Sequence, residues 1–434
     1  MDLLRRVEKA RGRRVLSALS GGADSVALTL LLIKAGAEVT CAHFEHGIRG
    51  ADSLRDRDFC RAFCKELHVP LLEDSARVPE NRMPGEGLEQ AARRLRYRFL
   101  RRAKESVGAE WIALAHHMDD QAETVLMHLL RGSGLAGVAG MRELSGDLYR
   151  PLLGVRKREL LEYLEELGQS YCQDTSNLVP DTPRNLLRLR VMPELESAYP
   201  GCVEAIARFS AQADRDEAFF DALAENWLSE RMETGAYGMR VLAQDPGAQA
   251  IVSRAMRQLC RRAQIPEAES RHVCALAGLL DVPRGKIELP GGRFAERAGN
   301  WLYFPVASPP PEPVRLVLPG ESELPGLCRV HARDWEGGPV RNDPFRQALS
   351  YEALKGAVLR TRRAGDWIQP LGMEGKKLLS DYLIDRLVDR PLRDWTPLIA
   401  VGNEILWVVG VGISQKARLL GGRAVLLHCI FSDQ

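Results

Sequence analysis

The chain has 434 residues, of which 45% are hydrophobic and 27% are charged, an ordinary composition for a globular protein. A single hydrophobic core rarely grows beyond about 250–300 residues, so we expect two or three domains. The 60 Lys and Arg residues nearly balance the 58 Asp and Glu residues, for a formal net charge of +2. This balance excludes a uniformly basic or acidic surface, and a polyanion would have to bind at local basic clusters.

Nothing near the start of the sequence is typical of export or of a membrane span. The segment "MDLLRRVEKARGRR" is polar and basic, and the apolar run at 26–33 is too short to cross a bilayer. The nine cysteines are scattered and include no Cys-x-x-Cys pair, which favours reduced, mostly buried thiols. We therefore expect a cytoplasmic protein that does not associate with membranes.

Strand-like and helix-like segments alternate over the first part of the chain. The strand-like segments are "RRVLSALS", "EVTCAHFEH", "VPLLEDSA" and "EWIALAHH". Helical periodicity separates them, first at 24–35, then in the amphipathic "ADSLRDRDFCRAFCKELH" and the basic "LEQAARRLRYRFLRRAKESVG". This alternation predicts right-handed crossovers and an α/β domain, in which helices cover both faces of a parallel sheet.

Helical patterns dominate from residue 119 onward. Helices are predicted at 119–131, 155–168, 185–199 and 202–233. The first, Rossmann-like domain is predicted to span 1–215 and to end in or beside the last of these helices. Residues 216–305 are then expected to form a small, mostly helical domain that ends in a β-rich stretch.

Proline marks the start of the last predicted domain. The segment "PVASPPPEPV" is the clearest linker pattern in the sequence, and we place the linker at 306–330. The remaining residues, 331–434, contain several strand-like segments around one predicted helix at 376–388. We therefore expect a C-terminal α+β domain.

The first strand leads into "SGGADS", a layout that is typical of phosphate binding. Gly21 and Gly22 let the backbone curl towards a ligand, and the following helix contributes the positive end of its dipole. Ser20 and Ser25 can donate hydrogen bonds to phosphate oxygens. Asp24 would repel a bare phosphate, so it either bridges to the phosphates through Mg²⁺ or caps the helix. A plain strand–turn–helix connection is the alternative for the whole segment.

A second cluster, His116, Asp120 and Glu123, follows the fourth strand-like segment. The spacing of i, i+4 and i+7 places the three side chains on one face, where the strand runs into a helix. Two carboxylates beside an imidazole suit the binding of an ammonium group and the removal of its proton. Two alternatives remain open: acidic residues that favour a helix N-terminus because of its dipole, and a metal site.

The sequence "SGGADS" resembles the pyrophosphate loop of the N-type ATP pyrophosphatases, which cleave ATP between the α- and β-phosphates and adenylate an oxygen of their substrate. Longer segments resemble the tRNA(Ile)-lysidine synthetases within that superfamily. These segments are "AHFEHGIRG", "EQAARRLRYRFL", "AHHMDDQAETVLMHLLRGSGLAGVAGM", "RPLLGVRKREL", "DTSNLVPDTPRNLLRLRVMPEL", "RRAGDWIQPLG" and "KKLLSDYLIDRLVDRPLRDWTPLI". The resemblance extends over nearly the whole chain, with Phe44 and Ile48 as small departures.

The resemblance implies the ATP-dependent ligation of lysine to C2 of cytidine 34 in the CAU anticodon of tRNA(Ile). The reaction would pass through an adenylated cytidine, give lysidine, and switch codon and amino-acid identity from Met to Ile. The implied cofactors are ATP and Mg²⁺, with Asp24 as magnesium ligand; the implied partners are tRNA(Ile) and L-lysine, and a homodimer is allowed. The alternative is a tRNA 2-thiolation enzyme with the same adenylation chemistry, which would require reactive cysteines or an iron–sulfur site.

Further candidates come from the charge and position of residues within these segments. Arg96 on the basic helix either stabilises the reacting phosphate, contacts the tRNA backbone or lies on a solvated helix face. His43 and His46 either border the adenine or are structural. Arg184 and Arg188, one turn apart, either grip a phosphate of ATP or RNA or lie on a plain helix surface. The candidate catalytic residues are Asp24, His116, Asp120, Glu123 and Arg96. The candidate nucleotide-binding residues are Ser20, Gly21, Gly22, Ala23, Asp24, Ser25, His43 and Arg188.

Two more segments are assigned to substrate handling. The glycine-rich "RGSGLAGVAG" is expected to be a mobile loop that orders with substrate, with a simple surface connection as the alternative. Basic residues of the last domain are the candidate tRNA contacts, because clustered cations bind a phosphate backbone. They are Arg360, Arg362, Arg363, Lys376, Lys377, Arg386, Arg390 and Arg393.

Overall fold

The computed structural model describes residues 3–45, 47, 51–173, 182–306, 308–338 and 343–432, with the backbone alone at 51–53. His46 and the segment "DTSNLVPD" lie outside this set. The chain divides into two compact units, Met1–Ala218 and Phe219–Gln434. The division falls within a long helix, Cys202–Arg231.

The first unit contains a mostly parallel sheet. Its strands are Arg14–Ala18 (β1), Glu38–Glu45 (β2), Leu71–Ser75 (β3), Trp111–Ala113 (β4), Leu144–Ser145 (β5) and Leu148–Tyr149 (β6). Within the described residues they form one six-stranded sheet in the order β3-β2-β1-β4-β6-β5. All neighbouring strands run parallel except β5 and β6, so the predicted parallel sheet is confirmed.

Helices cover both faces of this sheet. The helices that begin in this unit are Leu4–Val7 (α1), Ala23–Lys34 (α2), Ala51–Glu66 (α3), Leu88–Val107 (α4), Met118–Leu130 (α5), Leu135–Val138 (α6), Lys157–Glu166 (α7), Pro183–Leu186 (α8), Met192–Ala198 (α9) and Cys202–Arg231 (α10). Successive residues of a strand point to opposite faces. Val15 therefore packs into a core with Leu28 and Leu160 of α2 and α7, whereas Leu16 packs with Phe99 and Leu100 of α4.

The strand order reverses at β1, which has β2 on one side and β4 on the other. In a parallel sheet such a reversal opens a crevice at the carboxyl ends of the two diverging strands. The loop into α2 leaves the end of β1, and the loop into α5 leaves the end of β4. The sheet therefore brings "SGGADS" and the His116-Asp120-Glu123 stripe to the same edge.

The helix predicted at 185–199 has an irregular centre. A π-helix, Leu187–Val191, lies between α8 and α9, and it carries Arg188. The π-helix has one more residue in its hydrogen-bonded ring than the α-helix, and it is frequent at functional sites. The sequence predicted the helical character of this segment but not its change of pitch.

The middle of the chain, within the second unit, combines helices with an antiparallel sheet. Its elements are Met232–Gly235 (β7), Gly238–Leu242 (β8), Gln249–Arg262 (α11), Ser270–Leu280 (α12), Gly285–Leu289 (β9), Arg293–Ala298 (β10) and Trp301–Pro305 (β11). The strand order is β7-β8-β11-β10-β9. Met256 and Leu276 of the two helices share a core with Leu302 and Phe304 of β11. The β7–β8 hairpin was not predicted from the sequence.

The C-terminal part contains two sheets. Its elements are Val314–Arg315 (β12), Gly320–Leu324 (β13), Cys328–Trp335 (β14), Arg346–Ser350 (β15), Tyr351–Leu354 (α13), Val358–Arg360 (β16), Trp367–Ile368 (β17), Lys377–Leu378 (β18), Leu379–Asp385 (α14), Leu398–Val401 (β19), Glu404–Val408 (β20), Gly412–Ile413 (β21) and Ala424–Phe431 (β22). One sheet has the order β12-β16-β19-β20-β17-β18, with β21 paired to β20, and the other has the order β13-β14-β22-β15. Strands β12 and β13 lie within the range 306–330 that was assigned to a linker. Among the described residues, no helix has both the length and the apolar composition that crossing a bilayer requires.

Candidate active site

The loop after β1 has the backbone that its two glycines predict. Gly21 has a φ of +90°, which side chains rarely adopt, and its carbonyl oxygen accepts a 2.9 Å hydrogen bond from the Cys172 N–H. A Cβ atom at position 21 would lie 3.4 Å from the Sγ atoms of both Cys60 and Cys172. Gly22 is the N-cap of α2 and makes no side-chain capping bond. The loop therefore ends at an open helix N-terminus, where backbone N–H groups can meet an anion.

Asp24 lies in the first turn of α2, but it does not cap the helix. Since Gly22 is the N-cap, the interpretation of Asp24 as a cap is wrong. Its Oδ1 atom is buried without a hydrogen-bond partner, and its Oδ2 atom lies 3.6 Å from His117 Nε2 and 3.8 Å from Lys157 Nζ. The Ser25 hydroxyl meanwhile donates to the Gly22 carbonyl at 2.9 Å. A buried carboxylate oxygen without a partner is a suitable ligand for a hard cation such as Mg²⁺.

His117 connects this loop to the start of α5, a role that the sequence did not reveal. It is the N-cap of α5, and its backbone N–H donates to Asp120 Oδ2 at 3.1 Å. Its Nε2 atom lies 3.4 Å from Asp120 Oδ2 and 3.6 Å from Asp24 Oδ2, and its Nδ1 atom lies 3.5 Å from Asp119 Oδ2. Of the two adjacent histidines, the sequence prediction selected only His116. The signal for His117 was its position directly before an acidic helix start.

The His117 ring is protonated at neutral pH. Burial opposes its charge, but hydrogen bonds to Asp119 and Asp24 and the charge of Asp120 outweigh burial and raise its pKa to about 9. A protonated ring cannot accept the Asp120 backbone N–H, which lies 3.4 Å from Nδ1, so the carboxylate contacts dominate. The imidazolium thus holds Asp24 and Asp120 on either side of one cation.

This contact predicts a pH-dependent stability. Because the pKa of about 9 in the fold exceeds the ordinary 6.5, the protonated His117 ring stabilises the fold fully below pH 6.5, and this contribution is lost as the pH rises through 9. The expected loss is ~3 kcal/mol. Thermal unfolding of the wild type and of His117→Gln at about pH 6 and about pH 10 measures it. The gap between the two proteins should shrink at alkaline pH, and a constant gap would contradict the assignment.

His116, in contrast, is neutral. Burial lowers its pKa to about 4, and the charges of Arg150, Arg96 and Arg184 act in the same direction, whereas Asp120 opposes them. Its Nδ1 atom is buried without a hydrogen-bond partner. Arg96 Nε is likewise buried without one, and its guanidinium lies 5.4 Å from the centre of the Tyr97 ring. The structure thus brings His116 and Arg96 together with free nitrogen atoms on both.

Asp120 and Glu123 form a pair of buried carboxylates on α5. Their side chains are 12% and 3% exposed, and both are bound by Arg184 and Arg188. Arg184 reaches Asp120 at 3.1 Å and Glu123 at 2.9 Å, and Arg188 reaches Asp120 at 2.8 Å and Glu123 at 2.7 Å. The pKa of Asp120 is lowered despite burial, because His117 and the two arginines favour its charged form. The pair therefore binds two guanidinium groups of the same chain.

Comparison with known proteins assigns the chain to a family. Residues 2–195 match the PP-loop domain, and residues 357–427 match the TilS substrate C-terminal domain. The chain is 31% identical to the tRNA(Ile)-lysidine synthase of Caldanaerobacter subterraneus subsp. tengcongensis, over 96% of this chain and 94% of the relative. The tRNA(Ile)-lysidine synthase of Symbiobacterium thermophilum is 33% identical, over 94% of this chain and 91% of the relative. This chain belongs to the tRNA(Ile)-lysidine synthase family.

Family membership confirms the predicted fold class and the predicted function, ATP-dependent synthesis of lysidine in tRNA(Ile). Among solved structures, the chain is similar to the U34-tRNA thiolase NcsA from Methanococcus maripaludis with its [4Fe-4S] cluster. The TM-score is 0.42 and the identity 20%, over 49% of this chain and 79% of that chain.

The thiols near the loop do not have the environment of reactive cysteines. Cys60 is buried 3.4 Å from His43 Nδ1, and burial raises its pKa well above the ordinary value. Burial also raises the pKa of Cys172 to about 12, with a contribution from Asp56. Nucleophilic cysteines have lowered pKa values. These thiols therefore favour lysidine synthesis, the activity of the family, over thiolation.

His43 is held by the backbone of the loop. It is 5% exposed, and its Nδ1 atom lies 3.0 Å from the Leu19 carbonyl oxygen, whereas its Nε2 atom is buried without a partner. One ring nitrogen thus has a structural contact and the other is available to a ligand. Both interpretations of His43 remain in place, and only its Nε2 atom could contact the adenine.

The glycine-rich segment after α5 has a defined structure. It contains the short helix α6, and Gln121 of α5 anchors its end, with Nε2 donating to the Met141 carbonyl at 3.0 Å and to Ser210 Oγ at 2.8 Å. The Met141 N–H donates back to Gln121 Oε1 at 2.8 Å. The predicted mobile loop therefore has a fixed end on the helix that carries the acid pair.

Arg360 does not belong among the candidate tRNA contacts of this family member. Its side chain is 1% exposed, and both terminal nitrogens bind the equally buried Asp366 at 2.8 Å. Arg362 pairs with Asp394, whereas Arg363 is exposed. Arg362 and Arg363 also line a cavity of about 430 Å³. The prediction for Arg360 was wrong because an ion pair across a β-turn buries it.

Replacing Arg360 should destabilise the C-terminal part of the chain. Removing one partner of a buried ion pair leaves the other charge uncompensated, at a cost of about 3–5 kcal/mol. Arg360→Gln should therefore unfold at a clearly lower urea concentration than the wild type. Arg363→Gln is the matched control and should stay within about 0.5 kcal/mol of the wild type. Equal midpoints for Arg360→Gln and the control would contradict the structural role.

Proposed function

We propose that this chain joins the side-chain amine of lysine to C2 of cytidine 34 in the CAU anticodon of tRNA(Ile), with ATP as the activating substrate. One observation carries the proposal. His117 Nε2 lies 3.6 Å from Asp24, in the "SGGADS" segment (the phosphate-type loop), and 3.4 Å from Asp120, which forms the acid pair with Glu123. An adenylating site and an ammonium site therefore lie side by side. The product lysidine would change the decoded codon and the amino acid from Met to Ile.

The first step transfers the adenylyl group. The backbone of Ser20–Ser25 and the N-terminus of α2 hold the phosphates of ATP. Cytosine O2 forms a bond to the α-phosphorus, and the bond from that phosphorus to the leaving pyrophosphate breaks. Arg96 stabilises the charge that develops on the α-phosphate. Asp24 Oδ1 would hold Mg²⁺, which supplies charge neutralisation on the phosphates when bound.

The second step requires a neutral amine. With a reference pKa of ~10.4, deprotonating the lysine side chain at pH 7 costs roughly 4.6 kcal/mol. Asp120 and Glu123 bind the ammonium form and hold it against the activated base. The neutral His116 accepts one proton from the ammonium at Nδ1, and the neutral amine then forms its bond to C2. The nitrogen becomes acidic as this bond forms and releases its second proton to solvent. The bond from C2 to the adenylated oxygen breaks, and AMP leaves with that oxygen.

The remaining partners follow from this chemistry. The tRNA substrate places the reaction in the cytoplasm. Exposed cations of the C-terminal part, Arg363, Lys376, Arg386 and Arg390, are available for its phosphate backbone. A homodimer is compatible with this assignment, and light scattering distinguishes it from a monomer of 48.3 kDa.

A single assay tests the proposed reaction. The full chain is incubated with ATP, labelled L-lysine and a CAU-anticodon tRNA(Ile) transcript, with a GAU-anticodon transcript as the control. Label should enter only the CAU transcript, with one AMP and one pyrophosphate released for each lysine. Release of AMP without label in the RNA, or equal labelling of both transcripts, would overturn the proposal.

A further inference from the structure

Arg184 and Arg188 saturate the carboxylates that the proposed function assigns to lysine. Asp120 Oδ1 accepts from both arginines, at 3.1 Å and 2.8 Å. Glu123 Oε1 accepts from Arg188 at 2.7 Å, and Glu123 Oε2 accepts from both arginines at 2.9 Å. Asp120 Oδ2 accepts from the His117 N–H at 3.1 Å. Each of the four carboxylate oxygens therefore has a donor already.

The charges lead to the same conclusion. Two guanidinium groups offset two carboxylates, and the arginine side chains are only 31% and 28% exposed. An ammonium group added to this cluster would meet no excess of negative charge and would face two cations. Like charges held close in a partly buried site repel each other strongly. The two arginines therefore oppose the binding of lysine to the acid pair.

We infer that Arg184 and Arg188 occupy the lysine-ammonium subsite of the free enzyme, and that ATP opens this subsite by drawing their guanidinium groups onto its phosphates. The inference rests on the proposed function, in which Asp120 and Glu123 bind lysine. The arginines thus act as positioning residues, which exchange the carboxylates of Asp120 and Glu123 for the phosphates of ATP. Lysine enters only when a nucleotide is in place.

The position of the arginines supports this exchange. The charge of Asp24 in the phosphate-type loop acts on Arg188, and the charge of Arg184 acts on His116 beside the crevice. A guanidinium group binds phosphate oxygens in the same paired fashion as carboxylate oxygens, so the exchange preserves its hydrogen bonds. By linkage, the factor by which ATP strengthens lysine binding equals the factor by which lysine strengthens ATP binding.

Equilibrium dialysis of labelled L-lysine against the full chain tests the inference without RNA. The wild type should bind lysine at least about tenfold more tightly with α,β-methylene ATP than without nucleotide. Without nucleotide, Arg184→Gln should bind lysine about tenfold more tightly than the wild type. Arg190→Gln is the matched control, because Arg190 is exposed on the same π-helix, and it should behave as the wild type does.

Two results would overturn the inference: equal lysine affinity of the wild type with and without the analogue, or no gain of nucleotide-free affinity in Arg184→Gln. Arg188→Gln provides a second variant with the same expected gain, and thermal unfolding verifies that both variants are folded. Glu123→Gln separates this inference from the proposed function. Suppose that Glu123→Gln no longer binds lysine in the presence of the analogue, while the arginine variants show no gain in lysine affinity. The lysine site then stands, and only the inference that the arginines occupy it is wrong. If Glu123→Gln binds lysine normally with the analogue, the lysine site itself was misassigned.

Discussion

Asp24→Ala is expected to lower the rate of pyrophosphate release from ATP by at least about 10²–10³-fold. The carboxylate has one buried oxygen without a partner and a second oxygen beside the His117 imidazolium. Removing it deletes the proposed magnesium ligand and leaves the cation of His117 to repel the metal. Pyrophosphate release with saturating tRNA(Ile) is the direct measurement, since it reports adenylation before lysine takes part.

Two further variants make this result specific. Asp24→Asn keeps the shape of the side chain and removes its charge, so it should lose nearly as much activity as the alanine variant. Asp58→Ala removes an exposed carboxylate on α3 and should release pyrophosphate at the wild-type rate. Near-normal release by Asp24→Ala would show that neither the metal nor the phosphates depend on this carboxylate.

The second large effect is expected at Glu123, where replacement by glutamine should impair the use of lysine more than the use of ATP. A buried, hydrogen-bonded charge pair is worth about 2–5 kcal/mol to binding, so the KM for lysine should rise by about 100-fold. Adenylation of the tRNA should not slow, because Glu123 is not part of the loop that holds ATP and its loss leaves Arg184 and Arg188 freer to bind phosphate. Parallel titrations of lysine and of ATP in the full reaction measure the two effects separately.

The Glu123 side chain is buried and bound to two arginines, so the variant also needs a test of its folding. Thermal unfolding of Glu123→Gln shows whether the loss of these ion pairs disturbs the fold. Glu194→Gln changes an exposed glutamate on α9 and should leave both KM values unchanged. An equal rise in the KM values for lysine and ATP would remove Glu123 from the lysine site.

The fold of the first unit was accessible from the sequence because its periodicities are local. Strand-like runs and amphipathic helices alternate. The buried strand β1 has apolar residues on both faces, such as Val15 and Leu16. The β7–β8 hairpin was missed because Met232–Gly235 is short and has no buried residue, so no apolar alternation marks it. The pairing of this hairpin with the rest of its sheet is set by tertiary packing, which leaves no sequence pattern in so short a segment.

The sequence predicted which side chains share a face, but not their contacts. The spacing of Asp120 and Glu123 predicted one shared face, and in the structure both side chains bind the same two arginines. However, Arg184 and Arg188 were assigned to phosphate or to a helix surface, because ion pairs across some 65 residues of sequence have no local pattern. His117 was passed over for the same reason, since its partner Asp24 belongs to a different strand–helix loop.

The π-helix at Leu187–Val191 interrupts the helical segment that carries the arginine pair. A π-helix holds one extra residue in a widened turn, so its hydrogen-bonding pattern differs from that of an α-helix. Arg188 lies in this widened turn, so one of the two arginines on the acid pair is held by the least regular part of the helical segment.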